Sequence, residues 1–364
     1  MKLIFSFFFS FLFFFSAESQ SSFSVSGTVK NDVTGLPMVA ASVFAQNTTF
    51  GTVTDKEGNF HLQLPSGGYD LIISYTGFRP ESRRISSSDA AAKINISLRE
   101  NERELQDVAV VSSNEVADGL AKYGGFFLEE FIGRLPDSNL CRIQNPEVLH
   151  FFFSKRKNRL KVTATEPLVI KNNMLGYNIK YTLDSFTHEY NTNTSVYTGY
   201  PLYEEMQGDD GQMSKWLNAR RAAYKGSMLR FMRSVYYKNL AQQKFEIQFI
   251  VKVNGKDSAL KLKTPYEALN YQKDDSTQTV TIYPNQNQVA VLFLGDKPGD
   301  VYLKENPGEP SAFQFSVLGF KPDEGIVIER NGYFYDQNDI SISGYWSWDK
   351  VAKQLPYDWQ PQEE

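Results

Sequence analysis

Between Ser21 and Glu100 the apolar side chains return at every second residue, and this spacing constrains the chain more than any other feature. Phe23, Val25, Gly27 and Val29 follow it, as do Ala41, Val43 and Ala45, then Phe60, Leu62 and Leu64. Tyr69, Leu71, Ile73 and Tyr75 repeat it, and Ile94, Ile96 and Leu98 close it. Period two with one apolar face marks strands that bury one side. Turn residues separate the runs: Asn31-Asp32, Gly35, Asp55-Lys56-Glu57-Gly58-Asn59, Pro65-Ser66-Gly67-Gly68 and Gly77. Short strands broken by regular turns predict an antiparallel β-sandwich over residues 20–100. A single cysteine, Cys141, denies the chain an internal disulfide, so folding must rest on core burial. With 41% hydrophobic residues in 364, the chain has the material for two or three domains.

The order of residues in this first region resembles a known module. Ser26-Gly27-Thr28-Val29, Gly35-Leu36-Pro37-Met38 and Ala41-Ser42-Val43 open the pattern. Gly51-Thr52-Val53-Thr54-Asp55-Lys56-Glu57-Gly58-Asn59-Phe60 continues it, and Leu64-Pro65-Ser66-Gly67-Gly68-Tyr69 with Ser74-Tyr75-Thr76-Gly77-Phe78 ends it. The region resembles the carboxypeptidase-regulatory-like domain, a transthyretin-like sandwich of Gram-negative envelope proteins. That resemblance implies a non-catalytic module, despite the domain's name. Asp55 then reads as a turn former, because the tip lacks the further acidic oxygens that a calcium site requires.

At the N-terminus, Met1-Lys2 precedes an apolar stretch from Leu3 to Phe15, and Ala17-Glu18-Ser19 offers small residues for cleavage. Residues 1–19 therefore read as a secretory signal, with an uncleaved anchor as the alternative. The expected mature protein is exported, without a transmembrane helix, in the periplasm, against the outer membrane or on the cell surface. Residues 101–119 form a charged joint, Asn101-Glu102-Arg103-Glu104 followed by Leu105 to Val111. The joint resembles the sequence after this module in TonB-dependent outer-membrane receptors, whose plug and barrel would not fit in the remaining length.

Residues 120–364 read as a larger β-rich domain with helices near 120–135, 213–243 and 347–355. Strand patterns recur at Val148 to Phe153, Leu160 to Ala164, Tyr177 to Leu183, Phe245 to Val253, Val289 to Leu294 and Phe313 to Leu318. Arg221 to Ser227, Gly344-Tyr345-Trp346 and Leu355-Pro356-Tyr357 are similar to the region following the regulatory-like domain in many envelope proteins. That resemblance implies neither a reaction nor catalytic residues. The expected fold class is mainly β throughout.

The chemistry-bearing residues are sparse. His61, His150 and His188 match no zinc-peptidase spacing, and no Gly-x-Ser-x-Gly elbow occurs. Neither a cofactor nor a metal is expected. Acidic residues such as Glu204, Glu205, Asp209, Asp210, Asp274, Asp275, Asp336 and Asp339 leave a glycan-directed hydrolase open as an alternative, since such enzymes need two opposed carboxylates.

Charge placement carries more information. The formal net charge is −4, which argues against a surface built for nucleic acid. Yet Met213 to Lys244 holds eight basic residues and no acid, among them Arg220, Arg221, Lys225, Arg230, Arg233 and Lys238. Lys155, Arg156 and Lys157 form a second cluster. These are candidates for a face that docks an envelope protein, an anionic glycan or a lipid head group. The competing reading is a helix whose arginines pair with acids of neighbouring strands. Tyr345, Trp346 and Trp348 are candidate sugar-stacking residues, or else wedges that fix the C-terminal tail. The sequence thus favours an exported, non-catalytic protein of binding or assembly, with a hydrolase or an accessory of TonB-linked uptake as alternatives.

Overall fold

The computed structural model describes residues 21–87, 93–101, 114–335 and 340–361. The expected signal segment and most of the joint lie outside these residues. Mostly antiparallel strands build three hydrophobic cores, joined by a tail that returns to all of them.

The first core is the sandwich that the alternation predicts. Strands β1 (Ser22–Asn31), β4 (Asn59–Pro65) and β7 (Lys93–Leu98) form one sheet in the order β4-β1-β7. The other sheet has the order β3-β2-β5-β6, from β2 (Ser42–Ala45), β3 (Gly51–Val53), β5 (Tyr69–Ser74) and β6 (Glu81–Ile85). Val25, Leu64, Leu71 and Ile73 are fully enclosed between them. The expected antiparallel pattern has one exception, because β7 runs parallel to β1. The chain reaches β7 from the opposite sheet and enters alongside β1 in the same direction. A Cβ on Gly27 would strike the Ile94 carbonyl oxygen, so this pairing requires glycine at that point. At the Asp55 turn, the side-chain Oδ1 accepts from the amides of Glu57 at 3.0 Å and Asn59 at 2.7 Å. These hydrogen bonds, that from the Asn59 amide foremost, hold the Asp55 carboxyl below its ordinary range.

The region 120–364 builds two cores rather than one. In the first of these, β8 (Cys141–Ile143), β9 (Leu149–Ser154), β10 (Arg159–Ala164), β11 (Leu168–Asn172) and β12 (Tyr177–Glu189) stand in the order β8-β11-β12-β10-β9. Strand β13 (Thr194–Glu205) lies along β12. Helix α1 (Gly119–Phe131) lays Phe127 and Phe131 into this sheet. Phe127 meets Phe186 edge-on at 5.1 Å, and Phe131 meets Tyr181 at 5.0 Å and Tyr197 at 5.2 Å. Cys141 is buried here, which pushes its thiol up to about 12.

The last core begins with helices α2 (Asp210–Tyr224) and α3 (Met228–Tyr236). The expected helix at 213–243 is broken because Gly226 takes a positive φ of 82°, a conformation glycine adopts without steric cost. Asp209 caps α2 through the Gln212 amide, and Ser227 caps α3 through the Arg230 amide. A five-stranded sheet follows in the order β15-β14-β18-β19-β21, where β14 is Phe245–Val253, β15 Lys256–Lys261, β18 Gln288–Phe293, β19 Gln314–Phe320 and β21 Ile340–Gly344. Strands β16 (Gln272–Asp274), β17 (Thr279–Ile282) and β20 (Ile326–Ile328) form a smaller sheet. Phe231, Met232 and Val235 of α3 face this core, which also includes Phe245, Phe293 and Trp346.

Pro356 to Trp359 tie the cores together. Tyr357 donates its amide to the Asn47 carbonyl at 2.7 Å, and the Asp358 carboxylate accepts from the amide and hydroxyl of Thr49. Upstream in the tail, the Ala352 carbonyl accepts from the buried Asn172 side chain at 2.8 Å. Loop residues Asn47 and Thr48 of the sandwich also bond to Pro201 and Tyr203 of β13, each at 3.0 Å.

Truncating Phe131 to alanine removes the ring that α1 inserts among three aromatic partners. The Phe131→Ala variant is expected to lose about 3–5 kcal/mol of stability, as emptied aromatic sites do. Urea denaturation followed by tryptophan fluorescence checks this, and an unchanged midpoint contradicts the packing described.

Candidate functional site

The third core carries two adjoining concavities at the C-terminal end of α3. One, of about 410 Å³, is lined by Tyr236, Tyr237, Lys238, Tyr271, Lys273, Gln278 and Arg330. The second, of about 400 Å³, shares Lys238 and Tyr271 and adds Tyr266, Glu267, Asn270 and Gln272. Together they make a tyrosine-lined groove with cations along it.

Local backbone chemistry explains this arrangement. Helix α3 ends at Tyr236, and the Tyr237 amide still bonds back to the Arg233 carbonyl. Lys238 then turns left-handed, with φ 53°, where glycine is the usual residue. For a residue with a Cβ this conformation costs roughly 1–2 kcal/mol. It sets the Lys238 ammonium 4.1 Å from the centre of the Tyr271 ring and 5.9 Å from that of Tyr266, within cation–π range. Hydrogen bonds hold the other rings. Tyr236 donates its hydroxyl to the Gln278 carbonyl at 2.8 Å, Tyr271 donates to the Tyr236 carbonyl at 3.0 Å, and Tyr266 accepts from the Leu240 amide at 3.1 Å. Arg330 donates to the Tyr237 hydroxyl at 2.9 Å. Burial raises the phenols of Tyr236, Tyr266 and Tyr271 above their ordinary range, so they stay neutral. Half of Tyr237 remains exposed. Glu267 is the one carboxylate among the lining residues.

The structure divides the basic residues singled out in the sequence. Arg220 is buried, donating to the carbonyls of Leu175 at 2.7 Å and Gly176 at 3.1 Å and to Glu205 at 2.7 Å, over the Tyr177 ring. Arg233 is buried as well, and it donates to the carbonyls of Asn331, Tyr357 and Trp359 at 2.8, 3.0 and 2.9 Å. Neither stands on a surface, because each guanidinium satisfies backbone oxygens that would otherwise be enclosed without a donor. Arg230 forks onto the Gln243 side chain, and Lys225 pairs with Asp296 at 2.9 Å. Arg221 reaches Asn218 at 3.4 Å. Lys155, Arg156 and Lys157 are exposed at the tip between β9 and β10.

The aromatic candidates divide as well. Trp346 is buried against Phe231 and donates its indole N–H to the Gly226 carbonyl at 2.7 Å. Tyr345 and Trp348 both pack edge-on against Tyr302. Trp346 is thus a buried wedge, while Tyr345 and Trp348 remain partly exposed beside Tyr302.

The acidic candidates are spread among structural roles. Glu205 holds Arg220, Asp209 caps α2, and Asp274 folds its own turn through Ser276 and Thr277. Asp336 and Asp339 lie outside the described residues. Among the described residues, no three His, Cys, Asp or Glu side chains come together as a metal would require.

Sequence reasoning included Lys238 in the basic run but missed Tyr236, Tyr237, Tyr266, Tyr271, Lys273 and Arg330. A usable signal was the Tyr-Tyr-Lys triplet at the end of an amphipathic helix.

Where the sandwich meets the other cores, charged and phenolic groups gather, and Glu329 among them is buried. Tyr333 bonds its hydroxyl to Asp70, and Arg84, paired with that same Asp70, lies over the Tyr335 ring. Burial raises the carboxyls of Glu329 and Asp358 above their ordinary range, against the hydrogen bonds that lower them.

A raised folded value means that the folded state binds the proton more tightly. The stabilisation from these two carboxyls is therefore full below about pH 4 and is lost as the pH rises through their raised values. The Asp358→Asn variant is expected to gain melting temperature relative to the native chain at pH 7. That difference should shrink toward pH 5, and thermal melts across this range decide it. A gap independent of pH contradicts the assignment to Asp358.

Comparison with known proteins bears on the first core. Residues 25–110 match the CarboxypepD_reg-like domain family. Over 93 residues the chain is 34% identical to the TonB-dependent receptor SusC of Bacteroides thetaiotaomicron, covering 26% of this chain and 9% of that protein. It is 29% identical over 122 residues to the TonB-dependent receptor P39 of Formosa agariphila, covering 33% of this chain and 11% of the receptor. Structural protein 27 of a virus isolated in Victoria, Australia, is 32% identical over 92 residues, 25% of this chain and 18% of that protein. The chain thus spans less than a fifth of the length of each of these relatives. A solved 9R-lipoxygenase from Cyanothece PCC8801 aligns over 59% of this chain and 48% of its own at 9% identity, with a TM-score of 0.16, too low to carry an argument. No helix among the described residues is long and apolar enough to cross a membrane.

Proposed function

Starting from a chain that carries a CarboxypepD_reg-like domain at residues 25–110, we propose an exported, non-catalytic protein of the bacterial envelope that acts in binding or assembly alongside TonB-linked uptake. The observation that carries this reading is the shared sandwich, which the chain has in common with TonB-dependent receptors at 34% identity over 93 residues. The secretory pattern of residues 1–19 supports export, and the tyrosine-lined groove supports a recognition role over a chemical one. Its lining offers rings, amides and cations, with neither a nucleophile beside a base nor two opposed carboxylates.

Tagged protein expressed in a Gram-negative host should be cut after Ser19 and fractionate with the envelope, in the periplasm or bound to the outer membrane. Cell fractionation with N-terminal sequencing of the mature chain reads both outcomes. Recovery of an uncut chain in the cytosol would falsify the proposal.

A further inference from the structure

We infer that the groove between the end of α3 and the Tyr266–Tyr271 turn binds an acidic saccharide, a chain of sugar rings bearing carboxylates. The inference rests on reading this groove as a recognition site, and it names the chemistry of the occupant. Two kinds of lining make the argument. Tyr237 presents a half-exposed ring, held in place through its hydroxyl by Arg330, and the C–H face of a sugar packs against such a ring. Lys238 supplies the charge. Among the described residues no carboxylate lies within ion-pair distance of it, and its ammonium rests on Tyr271 instead.

The position of Lys238 strengthens the case. A left-handed residue just past a helix end is ordinarily glycine, yet here a long cationic side chain occupies it and reaches the seam between the two concavities. Lys273 stands among the lining residues, 3.5 Å from Asp275, and Gln278 lies beside it with its amide nitrogen donating to the Asp275 carbonyl at 2.7 Å. A neutral saccharide would leave the ammonium without an anionic partner. An acidic peptide would satisfy the charge but would not use the flat ring as fully. The pairing of ring with cation selects a ligand that has both a flat apolar face and a negative charge.

Titration calorimetry of the full mature chain separates these outcomes, with a hexameric oligogalacturonate and its methyl ester as probes. The two probes share their rings and differ in charge. The acid is expected to bind about tenfold more tightly than the ester, as one charge-assisted contact allows. Replacing Lys238→Gly should weaken acid binding by a similar factor while the melting temperature stays level or rises, because glycine relieves the left-handed backbone. Tyr237→Ala should weaken both probes, and a Lys155→Ala, Lys157→Ala double variant at the β9–β10 tip should weaken neither. Equal affinity for acid and ester overturns the inference, as does no binding of either, or undiminished binding by Lys238→Gly. None of these results touches envelope location, which fractionation reads independently.

Discussion

The guanidinium of Arg233 is the contact on which the arrangement of the molecule depends. From the middle of α3 it donates to the Asn331 carbonyl on one side and to the Tyr357 and Trp359 carbonyls on the other. The tail held in this way reaches the sandwich through Asn47 and Thr49. One side chain therefore joins a helix of the third core, a turn of that core and a tail bonded to the first. An arginine suits this position because its planar fork serves several acceptors at once and remains charged when enclosed. Here the guanidinium is matched by neutral carbonyl oxygens, and the Tyr224 hydroxyl, 3.2 Å away, completes the set.

The same contact positions the groove. The segment from Glu329 to Tyr335 gives its Asn331 carbonyl to Arg233, extends Arg330 into the groove, and meets the sandwich through Glu329 and Tyr333. One turn of α3 beyond Arg233 lie Tyr236, Tyr237 and Lys238. The recognition surface thus stands on a helix and a turn already fixed by a buried network, and a rigid site loses less freedom on binding. A Cβ on Gly68 would meet the Glu329 carboxylate and the Tyr335 hydroxyl, so the sandwich approaches this turn closely.

Much of the fold was legible in the sequence, because alternation reports directly on which residues are enclosed. Val25, Leu62, Leu64 and Leu71 lie inside the sandwich as their spacing requires. What alternation does not report is partnership. The parallel β1–β7 pair and the division of residues 120–364 into two cores both arise from contacts between distant segments. Charge is ambiguous for the same reason. Arg220 and Arg221 are neighbours in sequence, yet one is enclosed against carbonyls 44 and 45 residues away and the other lies nearer the surface. The carbonyl partner of Arg233 at Trp359 stands 126 residues along the chain, beyond any local pattern. The groove was hidden likewise, since Tyr237, Tyr271 and Arg330 come from three separate segments. Trp346, which the sequence left open between sugar platform and wedge, seals a core through a hydrogen bond to Gly226.

Differential scanning calorimetry of an Arg233→Ala variant tests most directly whether this guanidinium makes three cores behave as one. The native chain should unfold in a single transition. The variant should unfold in at least two, the sandwich separating from the rest once the tail is released. A variant that keeps one transition at the native temperature would contradict the account.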